Sequence, residues 1–210
     1  MKSLLNARSR RIKRAFDLLL ASLLLVMALP FALVIALAIV LETRGPVFFS
    51  HQRIGRHRRR FRLWKFRSMV ADSDLVLSRY LERNPTLLAE WRATRKLKID
   101  PRVTRVGRLL RRSSLDELPQ FWNVLRGDMS MVGPRPIVEE ETAKYGPALD
   151  LYLQVKPGLT GLWQVSGRND TSYRQRTALD SAYIQNWTLW TDFAVLLKTV
   201  RVVLYGHGAY

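Results

Sequence analysis

The pattern of apolar and polar positions divides the chain sharply near its start. Leu18 to Leu41 is a run of 24 residues in which only Ser22 is distinctly polar. Roughly 20 apolar residues span a bilayer as a helix. A secretory signal peptide has a shorter apolar core followed by small residues, whereas this run leads into Arg44, Arg53, Arg56 and Arg58 to Arg60. Lys2, Arg8, Arg10, Arg11, Lys13 and Arg14 stand on the other flank. Cations on both flanks conflict with a simple span, which collects them on one side. Pro30 lies mid-run and removes a backbone donor. A helix that enters the bilayer, turns at Leu29-Pro30 and returns to the same face satisfies both facts. An ordinary bent span is the alternative.

Beyond Gly45-Pro46 the pattern shortens. Val47-Phe48-Phe49 reads as a strand, and residues 61–67 alternate apolar and basic residues with the period of a half-buried strand. Asp72-Ser73-Asp74 offers helix caps, Asn84-Pro85 breaks that helix, and a second helix reads from Thr86 to about Leu97. Val103, Val106, Leu109 and Leu110 share one helical face of 102–112, with arginines opposite. The next helix is expected to start near Ser114 or Asp116 and run to about Leu125, with Gly127 as its C′ residue. Residues 129–136 read as a glycine-proline loop, 156–165 as turn then strand, and 166–170 as a polar loop. Helices follow at about 173–186 and 192–205. The stripe Phe193, Leu196, Leu197, Val200, Val203 and Leu204 suits a core, or a membrane interface beside Trp187 and Trp190.

Charge sharpens this picture. The formal net charge is +18, and residues 1–112 hold 26 Lys/Arg against 7 Asp/Glu. The basic half faces an anionic partner: nucleic acid, anionic lipid or a nucleotide substrate. With no cysteine, disulfides and thiolate chemistry are excluded. His51, His57 and His207 have no metal-ligand spacing, and no Walker A, GxGxxG or Ser-His-Asp pattern is present.

Within the arginine-rich middle, Ser113 to Gln120 places Asp116 and Glu117 side by side. Acids among cations and glycine turns suit covalent chemistry on a phosphate. The same residues also suit a plain capping box, Ser114 with Glu117, and a helix start attracts anions through its free N–H groups. Lys65 and Arg67 on the alternating strand are candidate phosphate contacts. Gly133, Pro134, Arg135 and Pro136 form a loop presenting an arginine, whose fork suits phosphate.

Four stretches in fixed order carry a resemblance: Lys65-Phe66-Arg67-Ser68-Met69, residues 114–120 (SLDELPQ), 127–136 (GDMSMVGPRP) and 155–161 (VKPGLTG). The chain resembles the bacterial sugar transferases, monotopic phosphoglycosyl transferases, over residues 9–205. It is similar to the small form, without the N-terminal membrane domain of larger relatives. The resemblance implies transfer of a sugar 1-phosphate from a UDP-sugar to undecaprenyl phosphate with release of UMP, beginning exopolysaccharide or glycoconjugate assembly. It implies an α+β fold: a re-entrant membrane helix hairpin, amphipathic interfacial helices and a small cytosolic α/β catalytic globule. On that reading 1–14 is a basic segment and 15–43 the re-entrant helix broken at Pro30. Residues 44–210 are then the catalytic domain, with a mobile-loop insertion at 71–99. It further implies Asp116 and Glu117 as the catalytic dyad and Mg²⁺ ligands, with Asp116 the nucleophile. Arg111 and Arg135 are implied as phosphate contacts. Residues 164–169, with Arg168 a candidate substrate contact, resemble hexose-handling members, which implies galactose or glucose. The expected partners are the UDP-hexose, undecaprenyl phosphate, membrane lipids and, as a candidate homodimer, a second copy. The expected place is the cytoplasmic face of the bacterial inner membrane. A membrane-tethered nucleic-acid binder and a membrane scaffold are the rival readings. Nucleic acid is not an expected partner, since no recognition-helix or RNP-type motif accompanies the charge.

Overall fold

The structure, a computed structural model, describes residues 4–94, 97, 99–166 and 172–205. Its first element, α1 (Ala7–Glu42), is capped at Asn6, whose side chain accepts from Arg8 N. Helical geometry continues through Pro30 without a break, where the sequence reading places a turn between two arms. A proline removes a single donor, and in an apolar run the remaining backbone groups have no better partners than each other. Buried positions form a narrow stripe: Lys13, Asp17, Ala21, Ala28, Ile35 and Ile39. Around the rest of its circumference Leu19, Val26, Phe31, Leu33 and Leu41 are exposed.

Both ends of α1 grip the same body. Asp17 Oδ1 accepts from Met131 N and Ser130 Oγ, each at 3.0 Å. Twenty-five residues later, a straight-helix distance of about 37 Å, Glu42 accepts from Arg105 N at 2.6 Å and Val106 N at 2.9 Å.

Strands β1 (Phe48–Ile54) and β2 (Arg60–Phe66) form an antiparallel hairpin, with Phe48 opposite Phe66 and Ile54 opposite Arg60. On β2 Leu63 and Phe66 are buried; three residues apart, they lie on opposite faces of the strand, so burial does not follow the expected alternation. Helices α2 (Ser73–Glu82) and α3 (Pro85–Thr94) divide at Asn84-Pro85 as the sequence indicates. Asp72 stands at the first cap but makes no side-chain cap hydrogen bond. Helix α4 (Arg105–Ser113) begins at Thr104, whose Oγ1 accepts from Gly107 N. Val103 therefore precedes the helix, bridging to Met69 instead. Leu110 is buried, but Leu109 is 66% exposed.

Helix α5 (Gln120–Arg126) ends at Gly127, whose φ of 91° is the left-handed conformation expected of a C′ glycine. Strand β3 (Ser130–Val132) runs parallel to β4 (Gly158–Thr160). The short helices α6 (Thr142–Tyr145) and α7 (Leu149–Tyr152) lie between them. The strand expected to reach residue 165 stops at Thr160, and Trp163–Val165 is a 3-10 turn. Helices α8 (Tyr173–Gln185) and α9 (Leu189–Tyr205) complete the described chain. Val124, Met129, Val132, Ile184 and Val195 are wholly buried in the main core between these elements. On α9, Phe193, Leu197 and Val200 are about half exposed beside Trp190 at 77%, while Trp187 is buried. Phe193, Leu197 and Val200 thus face outward, as on an interfacial helix, while Leu196 packs against the core.

Candidate active site

The two acids stand on a 3-10 turn, Leu115–Glu117, wedged between α4 and α5. Ser114 has a φ of 57° and closes α4. That conformation reverses the chain, so the capping box expected from Ser114 and Glu117 is not formed: the Ser114 side chain makes no cap hydrogen bond. Asp116 is buried and Glu117 half-buried.

Lys65 joins them. Its Nζ donates to Asp116 Oδ2 at 3.2 Å and to Glu117 Oε1 at 2.6 Å. The bridge depends on how β2 is seated. Asn123 of α5, fully buried, accepts from Trp64 N at 3.0 Å and donates to Arg62 O at 2.7 Å. It thereby fixes the strand just before the lysine. Burial pushes the Asp116 carboxyl above its usual range, against the opposing pull of Lys65. For Lys65, burial alone would lower the ammonium, but Glu117 and then Asp116 overcome it and hold it above its ordinary value.

Arg111 reaches the same place from α4. Its Nε donates to Ser68 Oγ at 2.9 Å. Gly107 allows this approach, since a Cβ there would lie 2.0 Å from Ser68 O. Burial lowers the Arg111 guanidinium while Asp116 pulls it back up.

The loop holding the second arginine is built on backbone contact. Gly133 N donates to Thr160 O and Gly158 N to Pro134 O, both at 2.8 Å. A Cβ on Gly158 would sit 2.1 Å from Gly133 N, so only glycine lets the two strands meet this closely. Gly133, Pro134 and Pro136 are buried, and Arg135 alone projects outward. Asp180 accepts from the Arg135 N–H and from Tyr145 Oη at 2.8 Å; burial raises its carboxyl to about 7. The Arg135 guanidinium lies 5.8 Å from the centre of the Trp163 ring.

Arg111, Glu117 and Arg135 line one cavity of about 670 Å³. Its other walls are mostly apolar, with Phe16, Leu20 and Leu24 of α1 and Phe193, Leu196 and Val200 of α9, but they include Ser114, Thr160, Gln164 and Thr199. Asp116 and Lys65 join this group through the bridge to Glu117.

One expected contact is not brought here. Arg67 is buried elsewhere, its guanidinium donating to Thr43 O at 2.6 Å, Thr43 Oγ1 at 2.9 Å and Arg44 O at 3.3 Å. It ties the end of α1 to β2. Arg168 lies outside the described residues. Among the described residues, no group of three or more His, Cys, Asp and Glu gathers as a metal cage. Two adjacent carboxylates are nonetheless a donor set that fits Mg²⁺, which takes one or two carboxylates and completes its shell with substrate phosphates and water.

Sequence reasoning missed Asn123, Ser68 and Asp180. For Asn123 a signal existed: it is the one amide in Phe121-Trp122-Asn123-Val124-Leu125, and a polar residue in an apolar run is buried with partners.

The family model for the bacterial sugar transferases matches residues 8–206. The chain belongs to the bacterial sugar transferase family. It is similar to the UDP-galactose-lipid carrier transferase of Erwinia amylovora, with 52% identity over 96% of this chain and 42% of that protein. The undecaprenyl-phosphate galactose phosphotransferase of Salmonella typhimurium is 50% identical over 99% of this chain and 44% of its own length. The exopolysaccharide production protein ExoY of Rhizobium meliloti is 50% identical over 94% of this chain and 88% of its own length. This sugar transferase thus spans less than half the length of the Erwinia and Salmonella relatives and most of the Rhizobium one.

Proposed function

We propose that the chain transfers a hexose 1-phosphate from a UDP-hexose to undecaprenyl phosphate and releases UMP. The reading rests on one observation: a single cavity is lined by Arg111 and Arg135 and also by apolar side chains of α1 and α9. A charged donor and a lipid-borne phosphate can meet there. The names of the Erwinia and Salmonella relatives favour galactose over glucose.

In this mechanism Asp116 is the nucleophile. Its carboxylate oxygen attacks the sugar-bearing phosphorus, and the bond to the oxygen bridging the two phosphorus atoms breaks. UMP leaves with that electron pair. An acyl phosphate links Asp116 to the sugar phosphate until the polyprenyl phosphate oxygen attacks the same phosphorus and releases the carboxylate. The main obstacle is repulsion between a carboxylate and a diphosphate. Arg111 and Arg135 are placed to cancel it, with Gly133, Pro134 and Pro136 holding Arg135 out. Lys65 orients both acids and can donate to the incoming phosphate. Mg²⁺, bound by Asp116 and Glu117, would supply further charge neutralisation on the phosphate oxygens. Glu117 then positions the nucleophile. Burial of Asp116 strips water from the attacking oxygen.

The same reading places α1 in the membrane as a re-entrant element, bent about Pro30, with both ends on the cytoplasmic side of the bacterial inner membrane. Its support is that Asp17 and Glu42 hold the same body, while the exposed faces of α1 and α9 are apolar. The reaction would be the first membrane step of exopolysaccharide or glycoconjugate assembly.

The test is turnover with labelled UDP-galactose and UDP-glucose and undecaprenyl phosphate in micelles. Label in the lipid fraction with equal release of UMP supports the reading. No transfer from either donor, with the chain folded and Mg²⁺ present, contradicts it.

A further inference from the structure

A second cavity, of about 590 Å³, opens near the start of α1. No residue lines both this cavity and the first. Six cations line it: Arg10, Arg11, Lys13 and Arg14 from α1, Arg56 from the turn between β1 and β2, and Lys156 from the segment before β4. Lys13 is paired with Asp17 and Asp192; among the described residues none of the other five forms an ion pair. Arg10 and Arg14 donate to backbone carbonyls, of Leu4 and Leu5 and of Val124 and Leu125. Arg56 Nε is buried with no partner.

One acid, Asp17, also lines the cavity, and both acids near these cations already have partners. Asp17 accepts from Ser130 and Met131 and lies 3.8 Å from Lys13 Nζ. Asp128 stands 3.6 Å from Arg126 Nε. Burial lowers both Arg56 and Lys156. Arg10 adds to the effect on Arg56, and Arg14 and Arg56 add to it on Lys156, against the pull of Asp17 and Asp128. Cations held this way repel one another in the folded state. An anion in the cavity removes that repulsion and meets Arg56 Nε. Phosphate suits the arginines best, because their forks match its oxygens.

The rest of the wall is Leu4, Ala7, Ala15, Leu18 and Val155, with Asp17 and Ser130. Leu18 is itself part of the exposed apolar surface of α1. A molecule with a phosphate and an adjoining apolar part fits both halves. We propose that this cavity is a phosphate-binding site distinct from the catalytic one, and that it holds the headgroup of an anionic phospholipid. The lipid source rests on the membrane reading of α1; the phosphate site does not.

The experiment follows thermal unfolding of the full chain in neutral detergent. Phosphatidylglycerol is titrated against phosphatidylcholine, and inorganic phosphate against chloride at matched ionic strength. Phosphatidylglycerol is expected to raise the midpoint saturably, and phosphatidylcholine is not. In the Arg56→Gln/Lys156→Gln double variant the half-saturating concentration is expected to rise roughly thirtyfold, or roughly fivefold in each single variant should the double fail to fold. A shift with inorganic phosphate that the same substitutions abolish assigns the site to free phosphate and keeps the proposal. Equal responses of wild type and variants, or no response beyond the controls, overturn it. Asp116→Asn is expected to respond as wild type does, which separates this result from the fate of the catalytic reading.

Discussion

The Lys65 ammonium donates to Asp116 Oδ2 at 3.2 Å across 51 residues of sequence, and also holds Glu117 Oε1. This contact couples the charge state of Asp116, the proposed nucleophile, to strand β2. Burial raises the Asp116 carboxyl and Lys65 opposes that rise, so Lys65→Met is expected to raise it further. The acidic limb of the kcat/KM profile should then move to higher pH, with kcat lowered on the plateau. An unmoved limb would separate Lys65 from the titration of Asp116.

Stability carries the same signature. Because burial raises Asp116 above its ordinary value of 3.8, the folded chain binds more protons there than the unfolded chain in the interval above that value. Stability therefore falls as pH climbs from the ordinary value through the raised one. Asp116→Asn abolishes turnover and also removes this penalty. Its Tm relative to wild type is expected to rise at neutral pH, with the gain shrinking in acid. A uniform Tm loss across the range would contradict the assigned shift.

Asn123 tests the seating of β2. Asn123→Ala leaves Trp64 N and Arg62 O without their partner. Buried groups left unpaired cost about 1–3 kcal/mol each, so denaturant unfolding should show a loss of about 2–6 kcal/mol. Turnover should fall as well, since Lys65 loses its register. A loss of turnover without a loss of stability would point to a direct role for Asn123 instead.

Gly158 tests the arginine loop. Its added Cβ would meet Gly133 N at 2.1 Å, forcing apart the strands that carry Arg135. Gly158→Ala is expected to cost about 1–3 kcal/mol and to raise KM for the UDP-hexose. Gly146, with nothing within 4 Å of its added Cβ but a φ of 50°, serves as the control: Gly146→Ala strains the backbone without moving the loop, so KM stays unchanged.

Much of this was legible locally. The apolar run gives α1, the alternation at 61–67 gives β2, Asn84-Pro85 divides two helices, and Gly127 closes α5. Asp116 and Glu117 stand out by their setting among arginines. What was not legible depends on contacts between distant segments. The Ser-x-x-Glu pattern at 114–117 permits a capping box, yet the reversal between α4 and α5 sets Ser114 left-handed. A basic residue on a strand can face a phosphate or a helix end, and only the docking of Thr43 and Arg44 onto β2 decides that Arg67 does the latter. The strand at 158–160 ends where Gly161 comes against Gly133, a closeness no local periodicity encodes. Pro30 gives the reverse lesson: a residue that disfavours helix was overruled by neighbours with no other hydrogen-bond partners.

The central claim is that Asp116 becomes bonded to the sugar's phosphorus. Mass spectrometry of the chain incubated with UDP-hexose and Mg²⁺ but no acceptor tests it most directly. The account expects a hexose phosphate added to the peptide containing Asp116, discharged on adding undecaprenyl phosphate and absent in Asp116→Asn. An unmodified peptide under conditions where wild type makes product, together with turnover by Asp116→Asn, would contradict it.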